Sequence, residues 1–233
     1  GDVSAHWNYP LTGKSTDTLT GRRGVPETVA TAVAAVAGHK PVWLVVQAFS
    51  SPLRDWRMPR EAELRAMVYA GIVHGATGIL YFAQDSFVTR DGQGLGVSPD
   101  TKTDYGDAPD YNHDGEPPLD VSVEEAARSR SLWGAIAKLN GELARLAPAI
   151  LSPTARMKYD VVFGEDEAAP VRTILKETSD GWILIAVNVE NKSVSAKFVF
   201  PHMTRPGRLI IGGTKSLEAQ VWTETFTPFD VKI

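Results

Sequence analysis

The sequence predicts a mixed α/β chain. Residues 1–150 read as the last three strand–helix units of a (β/α)8 barrel, strands six to eight, and residues 151–233 as a small antiparallel β-sandwich. Three observations lead there. Apolar strand-type runs alternate with helical patterns in the first part, as in units built around a parallel sheet. Beyond residue 151 nearly everything reads as short strands separated by turns. Finally, three units cannot close a barrel, which takes about 250 residues for eight, and a three-stranded parallel sheet leaves both edges open. The expected partner is therefore an N-terminal barrel portion, from the same protein or from a second chain.

The elements follow in order. Residues 2–9 form a strand, and Pro26-Glu27 opens a helix carrying Val29, Val33 and Val36 and ending at Gly38. Residues 41–49, PVWLVVQAF, are almost unbroken apolar sequence, which suits a strand covered on both faces. Pro59 and Glu61 start a second helix with Leu64, Met67, Val68 and Ile72 at helical spacing, closed near Gly75. Gly78 to Ala83 is a third strand, followed by a long loop from about Ser86 to Asp120 that is dense in Asp, Gly and Pro. Ser122 and Glu125 then form a capping box for a helix with Leu132, Trp133, Ile136, Leu139, Leu143 and Leu146 on one stripe. Pro148 and Pro153 are expected to end it. Strands are expected at 157–163, 171–176, 182–189, 193–200, 208–211 and 220–225, with turns at Ser179-Asp180-Gly181, Glu190-Asn191 and Gly212-Gly213.

Composition narrows the function classes. At 43% hydrophobic and 22% charged, the chain has the make-up of an ordinary globular protein and not of a disordered one. A net charge of −4 argues against a nucleic-acid partner. No apolar run reaches the roughly 20 residues of a membrane span. With no cysteine there is no disulfide, thiolate zinc site or cysteine nucleophile. Glycines 92, 94 and 96 lack the preceding strand and following helix of a dinucleotide loop, and no serine-hydrolase elbow occurs.

The sharpest local motif is Asp110-Tyr111-Asn112-His113-Asp114-Gly115-Glu116, which matches the opening of an EF-hand-like calcium loop. The match stops at position twelve, which is Val121, with Asp120 one place early. Two readings stand. Asp110, Asn112, Asp114, Glu116 and Asp120 hold a structural Ca2+ that pins the long loop, or their carboxylates simply face water. No organic cofactor is expected.

The successive runs Lys40–Phe49, Arg57–Tyr69 and His74–Phe82 resemble the C-terminal part of TIM-barrel glycoside hydrolases, the clan of the β-galactosidase-like and cellulase-like families. The helix with Leu139-Asn140-Gly141-Glu142-Leu143 would be the last of the barrel. Phe226-Thr227-Pro228-Phe229-Asp230-Val231 resembles the closing strand of the accessory sandwich that often follows. The resemblance implies hydrolysis of an oligo- or polysaccharide by two carboxyl groups at the C-terminal ends of the strands. Those ends carry Trp7 and Tyr9, Gln47 and Phe49, and Tyr81, Gln84 and Asp85.

The resemblance also shows a departure. Where the clan carries its nucleophilic Glu on the seventh strand, this chain has Gln47, and the acid-bearing fourth strand is not within it. An amide can neither form a glycosyl ester nor deprotonate water. Asp85 is then the best visible carboxyl for the chemistry, with capping of the next turn as its ordinary alternative. Trp7, Tyr9, Trp56 and Tyr81 would line the sugar pocket or serve as core. Gln47 would bond a sugar hydroxyl, or else neighbouring residues as a buried amide must. Non-catalytic carbohydrate binding on the same scaffold is the alternative function. Secretion would suit a polysaccharide-degrading enzyme.

Overall fold

The computed structural model describes residues 2–233 apart from 14–17, 23, 52–54, 85–86, 90–91, 102–120, 165–168, 204–206, 209, 212–215 and 218–219. Its elements run β1 (Ser4–Trp7), α1 (Val25–Val36), β2 (Val42–Gln47), α2 (Glu61–Val73) and β3 (Gly78–Phe82). A short hairpin of β4 (Phe87–Thr89) and β5 (Gly92–Gly94) precedes the long α3 (Val123–Ile150). After it come β6 (Asp160–Val162), β7 (Val171–Thr178), β8 (Gly181–Asn188) and β9 (Val194–Val199). The chain closes with β10 (Gly207–Arg208), β11 (Ser216–Leu217), β12 (Val221–Phe226) and β13 (Val231–Lys232).

The fold is mixed α/β. Strands β1, β2 and β3 form a parallel sheet in that order, with Trp7, Val45 and Leu80 level across it. One face packs on the helices: Val42, Leu44 and Val46 are buried and share a core cluster with Val29, Leu64, Met67 and Leu132. The other face presents Trp7, Trp43, Leu80 and Phe82 to solvent. Alternation along a strand explains the split, since successive side chains point to opposite faces.

Two further three-stranded antiparallel sheets follow, β13-β8-β7 and β12-β9-β6. Sheet β13-β8-β7 has two apolar faces. Ile183, Ile185 and Val187 join the core cluster that holds α2, whereas Leu175, Leu184 and Ala186 join Phe198, Phe200 and Phe226 in a second cluster. This answers why β8, GWILIAVN, is apolar at nearly every position: it is a middle layer. Hydrogen bonds tie the parts at a distance in sequence, from Leu19 N–H to Val189 O at 2.8 Å and from Arg65 Nη1 to Val231 O at 3.3 Å.

The helix ends follow local chemistry. In α3 the Ser122 hydroxyl accepts from the Glu125 N–H at 3.1 Å and the Glu125 carboxylate accepts from the Ser122 N–H at 3.4 Å, so the expected capping box is present. Pro148 does not end the helix, contrary to expectation; α3 continues to Ile150. A proline so close to the C-terminus removes a single bond, and buried Ala149 together with the bond from Leu151 N–H to Ala147 O hold the last turn.

Close packing makes one glycine test the sheet–helix contact. A Cβ at Gly71 on α2 would lie 2.6 Å from Leu44 Cδ2 on β2. Gly71→Ala should therefore destabilise the protein by about 1–3 kcal/mol, the usual cost of overpacking. In α3, Gly141 has only Arg145 Nη1 at 4.0 Å, so Gly141→Ala should instead gain up to about 1 kcal/mol of helix propensity. Urea midpoints of the two variants read the difference; equal shifts would contradict the packing.

Candidate functional site

The C-terminal ends of β1, β2 and β3 are joined by a lattice of loop hydrogen bonds. The segment after β1 meets the loop after β2 through Gly13 N–H to Asp55 O at 2.8 Å and Arg57 N–H to Leu11 O at 3.3 Å. That loop closes on itself, with Ser51 and Trp56 exchanging bonds at 2.8 and 3.1 Å. It is also fastened to the segment after β5, where Ser50 and Leu95 exchange bonds at 2.9 and 2.8 Å. Loops knitted in this way hold side chains in fixed positions at the end of the sheet.

Four aromatic rings gather there. Tyr9 meets Phe49 edge-on at 4.9 Å and Trp56 at 5.3 Å, and stacks on Phe82 at 6.0 Å. Phe49 meets both Trp56 and Phe82 at 5.4 Å. These separations fall in the range of favourable ring pairs, each adding about 0.5–1.5 kcal/mol beyond buried area. Phe49 is buried, Tyr9 and Trp56 are half-buried, and Phe82 is exposed, so the cluster shows solvent only part of its surface. Burial also raises the pKa of the Tyr9 phenol, keeping it a neutral hydroxyl. Trp7, the last residue of β1, lies on the open face and is 67% exposed.

Two expected site residues serve as braces. Gln47 is fully buried; its Oε1 accepts from Leu11 N–H at 3.0 Å, and its Nε2 donates to Leu11 O at 3.1 Å and Arg57 O at 3.0 Å. Of the two readings of Gln47, this geometry supports bonding to neighbouring backbone. Tyr81 lies on the helix face of β3, where its hydroxyl donates to Asn140 Oδ1 at 3.0 Å and burial has pushed its pKa up to about 12. It is not brought together with Tyr9 and Trp56. Phe82, absent from the expected set, joins them instead; an aromatic residue ending a strand on the same side parity as Leu80 was the available signal.

Asp85 lies outside the described residues, as do Asp110, Asn112, Asp114, Glu116 and Asp120. Among the described residues no three His, Asp or Glu side chains gather as a metal-holding group, and no helix is long and apolar enough to cross a membrane.

Behind the aromatic corner sits a charged cluster. Glu63 on the first turn of α2 is fully buried, receiving Arg57 Nη1 at 2.8 Å and Nη2 at 2.7 Å, Arg60 Nη2 at 2.6 Å and the Arg60 backbone N–H at 2.7 Å. Burial pushes its carboxyl pKa up, but the bonds from Arg57 and Arg60 outweigh that and hold it below the usual carboxylate range. Arg57 thus links Glu63 through its side chain to Gln47 through its carbonyl.

No protein-family model matches the chain, and no curated protein matches it in sequence. Among solved structures it is similar to that described as AmyP in complex with maltose, with a TM-score of 0.49 and 12% identity. The similarity covers 87% of this chain and 43% of that one, so the chain spans less than half the length of that neighbour.

Proposed function

We propose that this chain acts on carbohydrate as part of a glycoside hydrolase. In this reading β1, β2 and β3 are an arc of a (β/α)8 barrel, residues 1–150, and the two antiparallel sheets are its accessory β-sandwich, residues 151–233. The observation that carries the reading is the aromatic corner at the C-terminal strand ends, with exposed Trp7 as the last residue of β1. A sugar ring has apolar faces that stack on aromatic rings, and barrel sites lie at that end of the strands. Further support comes from the sheet itself: helices cover one face, and Trp43, Leu80 and Phe82 on the other suit a barrel interior. The remaining strands, from the same protein or a second chain, would close the barrel around that face and supply carboxyl groups, with Asp85 of this chain positioning substrate or assisting proton transfer.

The burial of Gln47, at the place where the resembling families carry their nucleophile, favours a second reading, in which the scaffold binds carbohydrate without cleaving it. One experiment addresses both. Affinity for a panel of oligosaccharides and hydrolysis of chromogenic glycosides are measured for the parent and for Trp7→Ala. Measured on this chain by itself, in which Trp7 is 67% exposed, its loss should leave the melting temperature nearly unchanged while weakening sugar binding about tenfold. Binding without hydrolysis would select the second reading. Affinity unmoved by Trp7→Ala would sink the platform assignment.

A further inference from the structure

A cavity lies between the two antiparallel sheets, lined by none of the residues of the aromatic corner. It has a volume of about 110 Å3. Its walls are Leu184 and Trp182 from β8 on one side and Phe200 and Trp222 from the facing sheet on the other, with Glu224 and Lys232 also lining it. One water needs only about 10–15 Å3, and an apolar cavity of about 150 Å3 takes up benzene, so the space suits a single small ring.

Two features define the ring. The wall from the facing sheet is a stack: Tyr159 lies on Phe200 at 4.9 Å and 4°, Phe200 on Trp222 at 5.1 Å and 7°, and Trp222 on Phe198 at 5.3 Å and 17°. Because the neighbours in this row cover the faces of Phe200 and Trp222, the wall offers ring edges, against which the face of an aromatic partner packs edge-to-face. The second feature is an ion pair where apolar side chains would otherwise pack: Lys232 Nζ reaches Glu224 Oε1 at 2.7 Å, with side chains only 11% and 13% exposed. Lys232 also sits 3.9 Å from Asp230 and 5.4 Å from the Phe226 ring. A buried pair gains little over apolar packing, so stability is a weak reason for its presence.

We propose that this cavity binds a neutral aromatic ring carrying one hydroxyl, a phenol-class ligand. The ring lies between Trp182 and the Phe200–Trp222 stack, and its hydroxyl donates to the Glu224 carboxylate, which accepts up to about four bonds. An anion would face Glu224 and a cation would face Lys232, so the ligand is uncharged. A sugar does not fit the same walls, because several of its hydroxyls would be buried against carbon without partners. The site is therefore separate from the aromatic corner and does not depend on the carbohydrate reading.

The test is calorimetric titration of the whole chain with 4-methylphenol, toluene and methyl glucoside. One saturable site for 4-methylphenol is expected, with toluene about tenfold weaker and methyl glucoside unable to displace 4-methylphenol from it. Leu184→Phe fills the cavity and should weaken 4-methylphenol binding more than tenfold in a protein that still melts cooperatively. Glu224→Gln should bring 4-methylphenol down toward toluene. Should that variant fail to fold, the toluene comparison and Leu184→Phe decide alone. Equal affinity for toluene and 4-methylphenol, displacement of 4-methylphenol by methyl glucoside, unaltered binding in folded Leu184→Phe, or no binding of 4-methylphenol would each overturn the proposal.

Discussion

Glu63→Ala should destabilise the protein by about 3 kcal/mol, measured by urea unfolding at neutral pH. Breaking a buried ion pair by removing one partner strands the other charge, a loss of about 3–5 kcal/mol. The lower end applies, because Arg57 and Arg60 are 21% and 52% exposed and water takes over part of their solvation. The substitution also removes the acceptor of the Arg60 N–H at the start of α2. The dependence on pH has a definite sign. The folded pKa of Glu63 lies below its unfolded value, so its contribution is complete above the unfolded value of about 4.3. It is lost as pH falls through the lower, folded value. Glu63→Gln should flatten that acid limb. A parent protein whose stability does not fall on acidification, or a Glu63→Ala variant as stable as the parent, would show that the cluster does not hold the start of α2.

The regular elements were legible because their signals are local. The apolar run 41–49 became β2, the capping box at Ser122 and Glu125 started α3, and the turn at Ser179-Asp180-Gly181 joined β7 to β8, with Gly181 at φ 135°. What was less legible depends on distant partners. The two-residue strands β11 and β13 are too short to show a period, and β13 exists through its pairing with β8. The unbroken apolar character of β8 reads like any buried strand, and only the structure shows it sandwiched between α2 and the second core cluster.

The site divides along the same line. That Tyr9 and Trp56 gather near the strand ends was legible because aromatic residues close to strand ends are visible in a sequence. The burial of Gln47 comes from Leu11 and Arg57, which approach it from separate loops. No spacing rule links residues 11, 47 and 57, so the brace was one of two open readings. Tyr81 differs from Phe82 by a single step of strand parity, which decides between Asn140 and the aromatic corner. For Asp85 and the acidic loop, the expected roles rest on sequence alone.

Gln47→Leu should cost at least about 2 kcal/mol, since Leu11 N–H and Arg57 C=O would each lose a buried partner at roughly 1–3 kcal/mol apiece, whereas Leu11 C=O keeps the bond from Arg57 N–H. The loss should reach the aromatic corner, because the same two residues, Leu11 and Arg57, bond to each other next to Trp56. Near-ultraviolet circular dichroism of the folded variant should therefore change in the tryptophan region. Gln47→Glu is the more discriminating substitution. It places a carboxyl where the resembling families have their nucleophile, but facing two carbonyl oxygens in a fully buried site. Desolvation and those carbonyls would raise its folded pKa above the unfolded value. The neutral acid is then the form the fold accepts, so the variant should be weakest at high pH and recover as pH falls below the raised folded value, opposite in sign to Glu63. No glycosidase activity should appear, because the side chain is closed off by the Leu11 and Arg57 backbone. Activity gained in Gln47→Glu would mean that this position opens to substrate and that Gln47 stands in place of a catalytic carboxylate.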